Sequence, residues 1–299
     1  MELRHLRYFV VTAEELHFTK AARRLGISQP PLTYQIKSLE EEIGVRLFDR
    51  QPGNVRLTEP GEVFLAECRG ILEHVVKATE RCRLAAAGQI GRLSVGFTES
   101  ASFTGEVTRV LQKFRELYPE VDLTLEEHRT EPLMERLRHR QLDVAFVRLP
   151  IGRDSDMEFK LVSTEPMVVA LPKSHHLAHK KLIELIELRD EPFVLYPRPT
   201  RMGLTDQVIT ACESIGFSPR VVQNVPQISS TINLVAASLG ITVVPACMRT
   251  SRVDQVRYIP IKGTELIASL GVAWREDSAT TALKNLLGLL DESKSHVLR

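Results

Sequence analysis

Four side chains near the N-terminus carry chemistry at a spacing that puts them on one side of a helix: Gln29, Thr33, Tyr34 and Lys37. A carboxamide bonds adenine through two points, hydroxyls donate and accept at base edges, and an ammonium neutralises a phosphate. From Leu16 to Leu39 the chain carries Lys20, Arg23, Arg24 and Lys37 and no acid, and Glu40, Glu41 and Glu42 follow at once. This local basic face says more than the whole-chain balance. Thirty-nine basic against thirty-eight acidic residues in 299 leave a net charge of +1, so the chain as a whole is not a cationic nucleic-acid binder.

For those groups to face outward, short helices must hold them. Leu3, Leu6, Phe9 and Val10 predict a helix with an apolar stripe running to Ala13. Thr19 is expected to cap a second helix that turns Ala21, Ala22 and Leu25 inward. Gly26 supplies the break and Ser28 an N-cap, with Pro30 and Pro31 in the first turn of a third helix, where a missing N–H costs nothing. Leu32, Ile36, Leu39 and Ile43 then step by 4, 3 and 4 residues and form its buried face. Two short helices joined through a glycine make a helix-turn-helix, a pattern that any small helical bundle shares. Leu47–Arg50 and Val55–Thr58 flank the turn-forming Gln51-Pro52-Gly53-Asn54. They read as a β-hairpin wing that sets Arg50 and Arg56 for phosphate or minor-groove contact.

The stretch FTKAARRLGISQPPLTYQIKSLEEEIGVRLFDR, followed by VRLTEPGEVFL, resembles the winged helix-turn-helix of LysR-type transcriptional regulators, densely over residues 1–65. The resemblance implies that the helix carrying SQPPLTYQI enters the major groove of double-stranded promoter DNA while the wing arginines meet the flanking groove. Position by position, it implies DNA contacts from Gln29, Pro30, Pro31, Thr33, Tyr34, Lys37, Arg50 and Arg56. Tyr34 stands where many members have arginine.

Thr58 is expected to cap a helix running to Ala87, with Glu59 and Glu62 in the first turn facing the positive end of the dipole. Phe64, Cys68, Ile71, Val75, Ala78, Cys82 and Ala85 repeat at a/d spacing, the seam of a two-stranded coil. An amphipathic helix lying on its own domain is the other reading. A protein reading paired half-sites needs a two-fold partner, so self-association through this linker is expected. Ala85 to Gly91 ends the helix as a hinge.

From Arg92 the rhythm changes to alternating strands and helices. Strands are predicted at 92–97, 121–126, 142–147, 166–172, 193–196, 219–224, 241–244 and 268–274, with helices at 103–117, 130–140 and 279–291. Such alternation implies βαβ units and largely parallel sheets, whose ligands sit beyond the carboxyl ends of the strands. Those ends carry Thr98-Glu99-Ser100-Ala101-Ser102, Thr130-Glu131-Pro132, Arg148, Tyr196-Pro197-Arg198-Pro199-Thr200-Arg201 and Val225-Pro226-Gln227-Ile228-Ser229. Hydroxyls at helix N-termini beside guanidinium groups suit a small carboxylate, although any single Ser or Thr there also reads as a plain N-cap.

LSVGF, LDVAFVR, ALP followed by His-Leu-Ala, and GITVVP resemble the inducer-binding domain of the same family. That domain is similar to periplasmic binding proteins, with two subdomains, two crossing hinge strands and a ligand between them. LYP and the Thr130 and Arg148 positions look most like regulators of aromatic catabolism that sense muconate-type diacids. The resemblance implies an organic-acid effector held by Ser100, Ser102, Thr130, Arg148, Pro199, Thr200, Arg201, Leu204 and Gln227. Glu99 departs from the pattern, because an acid there repels a carboxylate unless Arg148 or Arg201 answers it. The fold class is thus α+β multidomain. Residues 1–58 form a winged helix-turn-helix, 59–90 a coiled-coil linker helix and hinge, and 91–299 an α/β effector domain. Its subdomains are expected near 91–161 plus 267–299, and 162–266. The family further implies a homotetramer acting on promoter DNA, with RNA polymerase as a further partner.

Other functions lack their residues. His175, His176 and His179 could bind a metal, but no Cys or carboxylate nearby in sequence completes the set. Cys212 and Cys247 sit in apolar surroundings that suit packing better than a redox switch, and the four cysteines form no CxxC pair. There is no GxSxG, P-loop or HExxH, so neither catalysis nor a cofactor is expected. No apolar run approaches the roughly 18 residues that span a bilayer. The short run Tyr8–Val11 has no cleavage site behind it, so a cytoplasmic bacterial protein, on the nucleoid when bound, is expected. The alternative left open is a cytoplasmic α/β solute-binding or enzyme-like protein with a helical appendage.

Overall fold

Leu6, Phe9, Val10 and Ala13 fall on one side of α1 (Leu3–Glu15) and are buried in the computed structural model, which describes all residues but 52–53, 152–155, 197–202, 264–265, 279 and 296–299. Leu3, at the first helical position, projects beyond this core and is exposed. The second helix, α2 (Phe18–Arg24), is capped at His17 rather than Thr19. Burial of Phe18 draws the helix start forward, and the Thr19 hydroxyl instead donates to Gln29 Oε1 at 2.8 Å. Gly26 takes a left-handed φ of +69° between α2 and α3 (Gln29–Ile43), the step for which a side chain is costly. Leu32, Ile36 and Leu39 are fully buried and Ile43 packs at their edge, as the 4-3-4 spacing requires.

The wing is an antiparallel hairpin of β1 (Phe48–Gln51) and β2 (Asn54–Leu57), pairing Phe48 with Leu57 and Arg50 with Val55. Thr58 then caps α4 (Glu59–Ala86): the Gly61 amide donates to its hydroxyl at 3.0 Å, and that hydroxyl donates to the Arg46 carbonyl at 2.7 Å. A side chain at Gly61 would meet the Leu47 carbonyl oxygen at 2.1 Å, so only glycine lets the helix start against the wing. Phe9, Phe18, Phe48 and Phe64 interlock with ring centroids 5.0–5.7 Å apart. Each such pair contributes about 0.5–1.5 kcal/mol beyond its buried area. Cys68 is fully buried in the same core, against which Phe64, Leu65 and Leu72 also pack. The expected seam therefore divides. The first half of α4 lies on its own domain, whereas Val76, Ala78, Cys82 and Ala85 are exposed.

The chain separates into two compact units, Met1–Leu84 and Ala85–Arg299. In the second, β3 (Ile90–Phe97) is followed by α5 (Glu99–Ser102), α6 (Gly105–Leu117), β4 (Glu120–Glu127), α7 (Thr130–Arg138) and β5 (Val144–Leu149). Then come β6 (Met157–Pro172), β7 (Ile183–Glu184), β8 (Pro192–Leu195), α8 (Leu204–Ser214), β9 (Arg220–Asn224), α9 (Ile228–Ala236), β10 (Thr242–Pro245), β11 (Val256–Lys262), β12 (Ile267–Arg275) and α10 (Thr281–Ser295). Strand β3 pairs in parallel with β4 and β5, and β8 with β9, as βαβ units require.

The expectation of largely parallel sheets fails at the centre. There β12 runs antiparallel to β5 and to the first half of β6, and β10 and β11 run antiparallel to its second half. The sixteen-residue β6 leaves one subdomain and enters the other, so the expected strand at 166–172 is only its far half. Two main cores flank this crossover. One gathers Leu93, Val95, Phe114, Val272 and Leu286, and the other Val169, Phe193, Ile232 and Val243. Among the described residues no helix is long and apolar enough to cross a membrane.

Candidate functional site

On α3, Gln29, Pro30, Pro31, Tyr34 and Lys37 are exposed and Thr33 is half-buried, opposite the fully buried Leu32–Ile36–Leu39 face. Tyr34 is 69% exposed, a large aromatic left in solvent. The bond from Thr19 fixes the Gln29 carboxamide through its oxygen. Ser28 holds the N-cap backbone position, but its hydroxyl makes no capping bond. The prolines explain this: a cap accepts from the second or third helical N–H, and Pro30 and Pro31 have none.

The wing is tied to α3 by a residue that sequence reasoning placed only in an acidic run. Glu40 Oε1 accepts the amides of Leu47 and Phe48 at 2.8 and 3.0 Å, and Oε2 pairs with Arg50 Nη2 at 3.0 Å. The Arg50 guanidinium also lies 4.9 Å from the centre of the Phe18 ring. Arg50, expected at a phosphate, is thus engaged within its own domain, while Arg56 is exposed on β2 opposite Asp49. Nothing in the local sequence signals the Glu40 contacts, because they join a helix to a strand and a turn seven to ten residues on.

In the second unit a cavity of about 450 Å³ opens where the β3–α5 and β4–α7 turns and the end of β5 face the end of β8 and the starts of α8 and α9. At its floor lies Arg148, 2% exposed. Its Nε donates to the Ser100 hydroxyl at 2.9 Å, and its Nη2 to the Ser100 carbonyl at 3.1 Å and to Glu165 at 3.0 Å. Among the described residues its Nη1 is buried without a partner, as are the Thr98 hydroxyl and the Tyr196 hydroxyl, which sits beside Thr205 without a well-formed bond. All three residues line the cavity. Sequence reasoning named Thr98 and Tyr196 only as members of segments. Their orphaned hydroxyls show only once the strands are assembled.

Of the expected ligand residues, Ser100, Thr130, Arg148, Leu204 and Gln227 meet at this cavity. Ser102 does not: its hydroxyl donates to the Glu99 carbonyl at 2.6 Å and its side chain borders a different groove, along β4 and α6. Pro199, Thr200 and Arg201 lie outside the described residues. Arg148 does not answer Glu99, Arg201 lies outside the described residues, and among the described residues no other cation pairs with Glu99. Its two carboxylate oxygens instead take the Ile228 and Ser229 amides at 2.7 and 3.1 Å, capping α9 across the crevice. Glu127 also borders the cavity, and burial together with the nearby Glu99 raises its pKa above the usual carboxylate value.

Cys247 packs against the apolar core as expected, and it also borders this polar cluster, its amide on Glu165 at 2.5 Å and its thiol 3.5 Å from the Ser100 carbonyl. Burial and then Glu165 push that thiol up to about 12, and burial lifts Cys212 to about 12 and Cys68 to about 11. Such thiols are poor nucleophiles at neutral pH. Near the expected histidines, Glu191 supplies the carboxylate that the sequence did not place: His175 Nε2 lies 3.1 Å and His176 Nε2 3.4 Å from it, and His179 is no member. The Leu177 amide donates to His175 Nδ1 at 3.3 Å, which puts the ring proton on Nε2, facing Glu191. In this arrangement the ring is a hydrogen-bond donor to Glu191.

Comparison with known proteins joins the two units. The bacterial regulatory helix-turn-helix family of lysR type matches residues 3–62, and the LysR substrate binding domain family matches residues 86–295. The transcriptional regulator BudR of Raoultella terrigena is 38% identical over 96% of this chain and 99% of its own length. BenM of Acinetobacter baylyi is 32% identical over 96% and 94%. Full-length CbnR in complex with its target DNA superposes with a TM-score of 0.87 at 28% identity, covering 98% of this chain and 99% of that one. The BenM effector binding domain with its effector benzoate gives 0.61 at 25% identity, covering 69% and 93%. A recognition helix with an outward polar face, a cavity between two subdomains, and these likenesses along nearly the whole length leave one conclusion: the chain belongs to the LysR family and is a DNA-binding transcriptional regulator with an effector-binding domain, not an enzyme.

Proposed function

We propose that the effector is a small organic acid held between the two subdomains, and that it shifts the regulator between two arrangements on promoter DNA. The observation that carries this is the convergence of Arg148 Nη1 and the Thr98 and Tyr196 hydroxyls, all buried and unpartnered among the described residues, on one cavity. Each unmet buried group costs about 1–3 kcal/mol, so a ligand that supplies acceptors to them stabilises the closed form. A carboxylate suits best, taking a charge-assisted bond from the guanidinium and donors from the hydroxyls. A ligand acts as an inducer only through unequal affinity for the two arrangements. The test is a thermal-shift screen of small carboxylates against the full chain. At a hundredfold excess over Kd, a binder adds about 2.7 kcal/mol to the stability of the unit that holds it. If no acid shifts the melting point, the effector belongs to another class.

In this reading Gln29, Thr33, Tyr34 and Lys37, with Pro30 and Pro31 shaping the helix start, face the major groove, and Arg50 and Arg56 serve the wing. Gln29→Ala is expected to cost about 1–3 kcal/mol of discrimination at one base pair and little on unrelated duplexes. Arg56→Ala should weaken every duplex alike, with a shallower salt dependence. Anisotropy titrations on operator and scrambled DNA separate the two, and an equal loss on both duplexes for Gln29→Ala removes it as a base reader.

The exposed second half of α4 is proposed as the self-association seam, giving dimers and then a homotetramer with two DNA-binding pairs. Val76, 69% exposed, lies beside the Val75 and Ala78 positions of the repeat and widens its apolar stripe. Val76→Asp should leave the fold intact and lower the mass seen by light scattering, and an unchanged mass would exclude this stripe. The tetramer would work in the bacterial cytoplasm on the nucleoid, meet RNA polymerase there, activate a neighbouring gene and repress its own.

A further inference from the structure

We propose that Glu99 determines which acids the cavity accepts: the protein's own carboxylate fills the anion seat at the start of α9, so the cavity takes ligands with one anionic group and rejects those with two. The inference rests on the organic-acid reading above, and its experiment keeps the two separable. Nine residues long, α9 presents free N–H groups at its first turn, where its dipole favours negative charge. That place is taken. Glu99 leaves α5 on the opposite subdomain and accepts the Ile228 and Ser229 amides with one oxygen each, at 2.7 and 3.1 Å.

The second observation is independent of the helix. Arg148, 2% exposed, has a guanidinium nitrogen without a partner among the described residues and lines the same cavity, so one seat for an anion is open. The charge count around it is already spent. Glu165 neutralises Arg148, and among the other described lining residues the three acids Glu99, Glu127 and Glu131 outnumber the one arginine, Arg129. The raised pKa of Glu127, caused in part by Glu99, shows that the fields of these acids overlap inside the cavity. A ligand with one carboxylate can take the open arginine nitrogen and turn its neutral end toward Glu99. A second carboxylate would have to displace Glu99 or lie against it, and rejection through a like charge is an effective form of selectivity.

The test uses the full chain, its Glu99→Ser and Glu99→Ala variants, and two probes by calorimetric titration: benzoate with one carboxylate, and cis,cis-muconate with two. The wild-type protein should bind benzoate more tightly than muconate by about tenfold or more, the scale of a single like-charge contact. Glu99→Ser should improve muconate by a similar factor and leave benzoate nearly unchanged. An unaltered preference in Glu99→Ser overturns the proposal.

A second readout needs no effector. Amide hydrogen exchange at Ile228 and Ser229 should accelerate in Glu99→Ala. Sodium formate, an unattached carboxylate, should slow it again where sodium chloride does not. Exchange that ignores the substitution, or responds equally to both salts, overturns the proposal as well. Should neither benzoate nor muconate bind any variant, the thermal-shift screen decides the organic-acid reading, and the formate measurement alone decides the role of Glu99.

Discussion

Replacing Arg148 with methionine is expected to remove about 3–5 kcal/mol of stability from the Ala85–Arg299 unit and to abolish effector binding. The side chain is 3% exposed and its partner Glu165 is 18% exposed, so the substitution leaves a carboxylate in a poorly solvated place without its cation. It also strips Ser100 of two donors. The two losses can be told apart. In Arg148→Met with Glu165→Gln, no charge is stranded and the Cys247 amide keeps an acceptor, so much of the stability should return. Binding of the acid should not, because the free Nη1 donor is still missing. Arg148→Lys is expected to fall between them: it keeps the charge but lacks the planar fork that reaches Ser100 and Glu165 together. Urea unfolding with parallel effector titrations reads both quantities. A double variant that recovers effector binding along with stability would mean that Arg148 supports the cavity without touching the ligand.

The contrast between Arg148 and Glu99 shows what was legible in the chain. Arg148 follows the strand LDVAFV, and a cation at a strand's carboxyl end points to the crevice. The position alone was informative. The partner of Glu99 is α9, 129 and 130 residues further on, and backbone amides leave no trace in composition or spacing. Sequence could therefore name the acid as a misfit but not say what satisfied it.

The same division holds for the fold. The buried face of α3 was plain because Leu32, Ile36 and Leu39 repeat with the period of the helix they build. The first half of β6, MEFKLVSTEP, mixes polar and apolar side chains without a clean alternation, and its partner β12 begins a hundred residues later. Its strand character comes from that pairing. In α4 the heptad spacing marks one apolar stripe yet could not say that Cys68 meets its own domain while Cys82 meets solvent. A repeat fixes which face is apolar, and only tertiary structure fixes what covers it.

Glu40→Ala is expected to cost about 2–4 kcal/mol, since it leaves two amides without their acceptor, and to weaken operator binding by an order of magnitude or more. The Leu47 and Phe48 amides belong to fully or almost fully buried residues at the root of the wing, and one carboxylate oxygen holds both. Released, β1 and β2 lose their fixed angle to the recognition helix, so that wing and helix no longer fit one groove spacing together. Glu40→Gln separates the parts. Its carbonyl oxygen can keep the two amides and most of the stability, but its NH2 group faces Arg50 and cannot pair with it. The freed guanidinium then becomes available to a phosphate. The logarithm of affinity should fall more steeply with the logarithm of salt concentration, by about 0.9 for one added contact. Chemical denaturation of the full chain and salt-dependent anisotropy titrations give the two numbers. Operator affinity in Glu40→Ala equal to that of the wild-type protein would show that the wing angle has no part in recognition. A salt slope unchanged in Glu40→Gln would show that Arg50, even when released, finds no phosphate within its reach.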